Sequence, residues 1–105
     1  MSVTPVPRGQ DVRAILQACN AEGMEALRKG NAKAAFEQLK YAEALLIANS
    51  DAVNSTALFA MTCNNLGCYY KKTGKLHAAL SYLRKSLQAE VGQQVDEATL
   101  AGTHQ

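Results

Sequence analysis

One spacing of small and large residues occurs twice in this chain and constrains its fold more than any other feature. The downstream copy, within Asn64 to Leu87, places Leu-Gly, Tyr, Gly, Ala and Leu at fixed intervals. The upstream copy places Glu-Gly, Ala, Gly, Ala and Leu at the same intervals, and its first glycine, Gly23, lies 44 residues before the matching Gly67. Apolar residues recur at helical spacing on both sides of each central break. The pattern therefore predicts two similar helical hairpins.

The glycines of the downstream copy indicate how such a hairpin packs. Gly67 falls in the middle of a predicted helix, where glycine costs about 1 kcal/mol relative to alanine. We therefore expect it to allow a close approach of the partner helix, with Ala79 as the small residue facing it. Gly74 follows the helix end and suits the left-handed backbone position that often terminates a helix.

This repeat resembles that of the tetratricopeptide repeat (TPR) family, whose unit is a helix-turn-helix with the same small, large, Gly and Ala order. The resemblance covers residues 16–49 and 60–93. It implies an all-α fold, in which antiparallel helix pairs stack as a right-handed superhelix, a TPR-like α-solenoid. The chain departs from the family at Cys19 and Cys63, where the family often has Trp.

The repeat is longer than is usual in that family. Ile47 and Val91 stand where a closing proline is common, so the helices can continue. The 44-residue offset exceeds the usual repeat of about 34 residues, and the difference corresponds to roughly 15 Å of additional helix. Long repeats with the pattern of Thr62 to Lys75 are similar to those of the kinesin light chain subgroup. That similarity implies a place in cytoskeletal or transport assemblies.

Capping residues predict where the first helices begin and end. Residues 1–10 hold both prolines and are expected to form a flexible tail, with a TPR-like domain over residues 11–105. Asp11 is a suitable N-cap for the first helix. The second helix is predicted to open near Asn31 and to fade at Ala48-Asn49.

Two sites compete to cap the third helix, and a break is expected after the fourth. Ser50-Asp51 is preferred over Asn54-Ser55 as the cap of the third helix. The fourth helix is predicted from Lys75 to about Val91. Gly92-Gln93-Gln94 should then interrupt the chain before Asp96, so that residues 95–105 start a third helix pair.

Composition places the chain among small globular domains. It has 105 residues, of which 48% are hydrophobic and 19% are charged. No apolar run reaches the roughly 18 residues that a membrane span requires, so no membrane partner is expected. Three cysteines without CxxC spacing fit a reducing compartment, and we expect a cytoplasmic protein, with cytoskeletal association implied by the resemblance.

The charge is small but unevenly distributed. A net charge of +2 does not indicate nucleic acid as a partner. Between Ala52 and Ala89, however, there are five basic residues and no acidic residue. One interpretation is favourable placement near helix C-termini on a solvated face. The other is that this half of the chain binds an acidic partner.

No pattern in the sequence indicates an enzyme, a cofactor or a metal site. His77 and His104 lie on different predicted elements, without an HExxH motif. Cys63 and Cys68 are five residues apart, so they project from different sides of a helix and do not form a chelating pair. The remaining cysteine, Cys19, is equivalent to Cys63, and core packing is favoured over a redox role. Phosphate-binding loops and nucleophile elbows are also missing from the sequence.

The resemblance implies a peptide-binding groove lined by the first helix of each repeat. Amide side chains there would hold the backbone of an extended peptide, methionines would add adaptable apolar contact, and basic residues would make one end positive. An alternative is that the asparagines only join the helices. The predicted groove residues are Gln17, Asn20, Met24, Arg28, Met61, Asn64, Asn65, Cys68, Lys71 and Lys72.

Two functions follow from these observations. The preferred hypothesis is a protein-protein interaction module, a scaffold or adaptor, that binds an acidic peptide segment of a partner protein in the concave groove. The alternative is a structural protein that assembles as a homo-oligomer, because a short repeat array leaves an apolar end open.

Overall fold

The chain folds into helices joined by short turns. The computed structural model describes residues 9–53 and 55–102. No strand occurs within these residues, so the predicted all-α class is confirmed. In chain order the helices are α1 Gly9–Arg28, α2 Ala32–Ala48, the single turn α3 Ser50–Val53, α4 Thr56–Lys72 and α5 Leu76–Gly102.

The first helix begins earlier than predicted. Most of the expected flexible tail, residues 1–8, lies outside the described residues. Gly9 and Gln10, however, already belong to α1. Asp11 is therefore inside the helix and is not its N-cap. The second helix matches its prediction, because the Asn31 side chain accepts a hydrogen bond from the Ala34 N–H at 3.2 Å and the helix ends at Ala48.

The expected cap of the third long helix is wrong, because Ser55 and not Ser50 begins it. Ser55 has an extended backbone, with φ −123° and ψ 109°, and its hydroxyl accepts a hydrogen bond from the Leu58 N–H at 3.2 Å. Ser50 instead opens the short α3, whose Val53 N–H donates to the Asn49 carbonyl at 2.8 Å. The linker thus forms one turn of helix before α4.

The predicted break after the fourth long helix does not occur. Helix α5 continues through Gly92 to Gly102, so the start of a third helix pair at residue 95 is also wrong for residues 95–102. Residues 103–105 lie outside the described part of the chain. One glycine within a helix costs only about 1 kcal/mol, which is too little to end a helix whose neighbours favour helical backbone.

Both hairpin turns have the same geometry. Gly30 and Gly74 have φ values of 85° and 83°, the left-handed conformation that was predicted at Gly74. The residue after each glycine donates a hydrogen bond back across the turn at 2.8 Å, from Asn31 to the Ala26 carbonyl and from Lys75 to the Tyr70 carbonyl. This is the Schellman arrangement, in which a glycine without a Cβ closes the helix end.

Gly67 is a position of close contact, as predicted, although the contacting residue differs, and the equivalent Gly23 is another such position. A Cβ on Gly67 would lie 2.6 Å from the side chain of Leu83, and a Cβ on Gly23 would lie 2.8 Å from that of Leu39. Ala79 contributes its carbonyl oxygen, 3.4 Å from such a Cβ, and not its methyl group. The two hairpins are therefore packed at equivalent positions, 44 residues apart.

The core lies where the two hairpins meet. Helix α1 packs on α2 and α4 packs on α5, while α4 also packs against both α1 and α2. Fully burying one leucine stabilises the fold by roughly 1.5 to 3 kcal/mol, and Leu16, Leu39 and Leu66 are all 0% exposed. A buried apolar cluster in this core consists of Val12, Leu16, Cys19, Ala42, Leu46, Val53 and Leu58.

Candidate functional site

All ten residues predicted to line a groove belong to α1 or α4, two helices that contact one another. Gln17, Met24 and Arg28 follow one another at helical spacing along α1. Asn64, Cys68 and Lys71 do the same along α4. Residues three, four or seven apart share a face of a helix. The helix pair therefore provides the continuous surface on which a groove was expected, but its residues divide into three groups with different environments.

Asn20 belongs to the first group and is not available to a peptide. It is only 2% exposed. Its amide nitrogen donates to the Thr62 hydroxyl at 2.9 Å and to the Leu16 carbonyl at 2.9 Å. Its oxygen accepts a hydrogen bond from the amide of Asn65 at 2.8 Å. The prediction that Asn20 binds a peptide backbone is therefore wrong, since buried polar groups are satisfied internally.

Asn65 is part of the same network and joins α4 to α1. It is partly buried, and one of its amide hydrogens is donated to Asn20. The alternative interpretation of the asparagines, as links between helices, thus holds for this residue. Asn64 differs, because its side chain is exposed.

The second group forms a basic pocket at the C-terminal ends of α1 and α4. The pocket has a volume of about 470 Å³ and opens to solvent. Five of the predicted residues line it, together with Leu27. We call this the basic pocket; its lining is Met24, Leu27, Arg28, Cys68, Lys71 and Lys72.

The walls of the basic pocket are positive and its floor is apolar. Leu27 is 6% exposed, and Met24 and Cys68 are half-buried. Lys71 and Lys72 are exposed in the last turn of α4, and neither forms an ion pair within the described residues. Two cations beside apolar side chains suit a ligand that has both carboxylates and an apolar group.

Arg28 is already engaged at the rim of this pocket. Its guanidinium binds both carboxylate oxygens of Glu25, with Nε 3.0 Å from one and the second nitrogen 2.5 Å from the other. Hydrogen bonding from Arg28 holds the pKa of Glu25 below its usual value. Lys29 lies 3.7 Å from the same carboxylate. An incoming carboxylate would therefore have to compete with Glu25 for Arg28. At Lys71 and Lys72 it would displace no carboxylate of the described residues.

The third group is exposed and lies farther along the two helices. It comprises Gln17 on α1 and Met61 and Asn64 on α4. Met61 is 36% exposed, and no hydrogen bond to another described residue occupies the amides of Gln17 or Asn64. These residues can contact a ligand that extends from the basic pocket along the helices.

The three cysteines also differ in their environments. Burial raises the pKa of the Cys19 thiol and that of the Cys63 thiol, so both remain protonated at neutral pH and act as small apolar residues. Both are free thiols buried in the core. Cys68 is half-buried in the basic pocket. Among the residues that the structure describes, no group of three or more His, Cys, Asp or Glu side chains could hold a metal ion.

A polar network between α2 and α5 was not anticipated from the sequence. The Tyr82 hydroxyl donates to Glu43 at 2.7 Å, and the Lys40 amino group lies 2.5 Å from the other Glu43 oxygen. Burial raises the pKa of Glu43, but the hydrogen bonds from Lys40 and Tyr82 outweigh it and lower the pKa below its usual value. Tyr82 stacks on Tyr70, with ring centroids 5.6 Å apart. The network joins residues about 40 positions apart, and no local pattern reveals it.

A second depression on the surface was also not predicted from the sequence. It lies at the opposite end of α4, has a volume of about 580 Å³ and is lined mainly by apolar groups, among them Leu46, Val53 and Phe59. Residues of α3 and of the start of α4, among them Ser50, Ser55 and Thr56, also line it.

Comparisons of the chain with protein-family models, curated proteins and solved structures found no match. The TPR resemblance and the cytoplasmic location therefore stay predictions. None of the helices in the described ranges combines the length and the apolar character that crossing a membrane demands.

Proposed function

We propose that this chain is a protein-protein interaction module that binds an acidic peptide segment across α1 and α4, with its acidic residues at the basic pocket. The observation that supports this most is the composition of that pocket, in which Lys71 and Lys72 have no acidic partner among the described residues and border the apolar Met24 and Leu27. The proposal includes a scaffold or adaptor role, in which the chain acts by holding its partner.

The two ends of the site would recognise different parts of the peptide. An apolar side chain would rest on Met24, Leu27 and Cys68 while neighbouring carboxylates face Lys71 and Lys72. An exposed charge pair contributes about 0.2 to 1 kcal/mol, so several contacts are needed for useful affinity. We therefore expect binding that weakens as salt concentration rises. Gln17 and Asn64 would donate to and accept from the peptide backbone farther along the helices.

We also propose that the two hairpins are units of a right-handed TPR-like superhelix. Equivalent turns at Gly30 and Gly74 and equivalent close contacts at Gly23 and Gly67 support this. A constant step between repeats produces an extended concave surface, which is the surface such proteins use for binding. The first helix of each hairpin would face that surface.

The test uses two labelled nine-residue peptides that differ only in charge. One contains glutamate and leucine around a central proline, which keeps it extended, and the other has lysine in place of glutamate. We expect the acidic peptide to bind the unmodified chain and to bind the Lys71→Glu/Lys72→Glu variant about tenfold more weakly, a change of about 1.4 kcal/mol. Equal binding of the two peptides would refute the proposal.

A matched control distinguishes an effect at the basic pocket from an effect of the changed net charge. Lys33→Glu/Lys75→Glu changes the net charge by the same amount, at exposed residues that do not line the basic pocket. We expect this variant to bind the acidic peptide as the unmodified chain does. If both double variants lose affinity equally, the attraction is general and the basic pocket is not the site.

A further inference from the structure

Helix α5 has an exposed apolar stripe that faces away from its own hairpin. The residues are Leu76, Leu80, Leu87 and Val91, which are 61%, 53%, 60% and 46% exposed. Their spacing of four, seven and four places them on one side of the helix. Single exposed apolar residues are ordinary, but four aligned along one helix indicate an interaction surface.

Part of the equivalent face of α2 is covered within this same chain, although Ile47, the equivalent of Val91, is 71% exposed. The 44-residue offset that relates the two hairpins makes Phe36 equivalent to Leu80. The ring of Phe36 packs on α4, with its centroid 5.4 Å from that of Tyr69 and 6.4 Å from that of Tyr70. Leu80 on the stripe of α5 thus corresponds to a residue of α2 against which the fold places another helix.

The covering helix on α2 runs antiparallel to it. Phe36, near the start of α2, meets Tyr69 and Tyr70 near the end of α4. Leu46, near the end of α2, shares a buried cluster with Leu58, near the start of α4. By equivalence, a helix that covers the stripe on α5 would also run antiparallel.

The charges beside the stripe indicate what that helix must contain. In α2, Lys40 has an acidic neighbour three residues on, Glu43, with the two charged groups 2.5 Å apart. The equivalent residues of α5 are Arg84 and Leu87, so the cation is kept and its acidic neighbour is replaced by an apolar residue. Arg84 is exposed and has no ion-pair partner within the described residues. It lines a depression with His77 and Lys85, which contains no acidic residue.

A second copy that pairs through the same stripe does not supply that acidic group. In a two-fold symmetric pair the same surface patch meets itself. Two antiparallel α5 helices would therefore set each flank of the stripe against the same flank of the other copy, and the depression with Arg84 would face positive charge. The apolar stripe fits such a pair, but the charges beside it oppose it.

We propose that the exposed face of α5 binds an amphipathic helix of another protein segment, which runs antiparallel to α5, covers Leu80 and Leu87 with apolar residues and places an acidic side chain opposite Arg84. This surface is separate from the basic pocket, which lies on α1 and α4. The chain would then hold two partner segments at once, one extended and one helical.

Two synthetic peptides of 21 residues test this proposal. Both have leucine at the a and d positions of three heptads; one has glutamate and the other lysine at the flanking positions. We expect the glutamate peptide to bind the chain at least tenfold more tightly than the lysine peptide. Arg84→Glu should reverse this preference, because it replaces the attraction beside the stripe with repulsion.

Three further outcomes decide the assignment. Leu80→Gln/Leu87→Gln should abolish binding of the glutamate peptide, and both positions are exposed, so the fold tolerates the change. Lys71→Glu/Lys72→Glu should leave that binding unchanged, which separates this surface from the basic pocket. Equal affinity for both peptides, no effect of Leu80→Gln/Leu87→Gln, or a doubling of solution mass that this variant removes would overturn the proposal.

Discussion

The side chain of Asn65 on α4 donates a hydrogen bond to the side chain of Asn20 on α1, 2.8 Å away. Asn20 in turn donates to Thr62, also at a buried position. The first helices of the two hairpins are therefore joined by a fully satisfied polar network, since no buried side-chain nitrogen or oxygen among the described residues lacks a partner. This network fixes the relative position of the helices that present the proposed binding surface.

Removing Asn20 should destabilise the fold. Asn20→Ala removes the donor to the Thr62 hydroxyl, which keeps its own bond to the Leu58 carbonyl, and the acceptor for the Asn65 amide. Leaving a buried polar group without its partner costs about 1 to 3 kcal/mol. Chemical denaturation followed by circular dichroism measures the change. The control is Gln17→Ala, an exposed position on the same helix, which should stay within about 0.5 kcal/mol of the unmodified chain. If the two variants are equally stable, the network does not hold the hairpins together.

Adding a methyl group at Gly67 should also destabilise the fold. The new Cβ would lie 2.6 and 2.7 Å from the Cδ2 and Cγ atoms of Leu83, so Gly67→Ala requires the Leu83 side chain or helix α5 to move. Overpacking of this kind costs about 1 to 3 kcal/mol. Thermal unfolding measures it, and Leu83→Ala in the same chain should make the Gly67→Ala change much less costly.

Gly92 offers the matched control for that experiment. It lies inside α5, and an added Cβ would meet no atom within 4 Å. Gly92→Ala should therefore stabilise the chain by about 0.5 to 1 kcal/mol, because alanine favours helical backbone. A destabilising Gly92→Ala would show that α5 is interrupted there, as the sequence alone suggested.

The Glu43 carboxylate should make stability depend on acidic pH. Its pKa is lowered in the folded chain, so it contributes stability above the unfolded pKa of about 4.3, and that contribution is lost as the pH falls through the folded value. At pH 7 we expect Glu43→Gln to reduce the free energy of unfolding by about 1 to 2 kcal/mol. At a pH well below both the unfolded and the folded pKa of Glu43, the difference from the unmodified chain should disappear.

The comparison for that experiment is Glu37→Gln on the exposed side of the same helix. It should change stability little at any pH. A pH-independent difference for Glu43→Gln would mean that the contacts of its carboxyl group depend on shape and not on charge.

Structural features that depend on the local spacing of residues could be predicted from the sequence. Helix α2 begins and ends where its capping residues indicate, and Gly74 has the left-handed backbone expected of it. Sequence reasoning did not decide between Ser50 and Ser55 correctly, because both are good N-caps and the backbone path of the linker selects one. It also overestimated the effect of Gly92 on the helix, because the free-energy cost of one glycine is too small to end α5.

The site was predicted in part for a similar reason. Helical spacing put Met24, Arg28, Cys68, Lys71 and Lys72 on matching faces, and these five do line one pocket. Asn20 was assigned wrongly because its burial depends on Thr62 and Asn65, more than 40 residues away, and on how closely α1 and α4 approach. The polar contacts of Tyr82 with α2 are of the same long-range kind.

The most direct test of the proposed function is a nuclear magnetic resonance titration of the isotope-labelled chain with the nine-residue acidic peptide. We expect the largest chemical-shift changes at Met24, Leu27, Cys68, Lys71 and Lys72, with little change along the exposed stripe of α5. Changes that instead concentrate on α5, or that spread evenly over all basic residues, would contradict the assignment of peptide binding to the basic pocket.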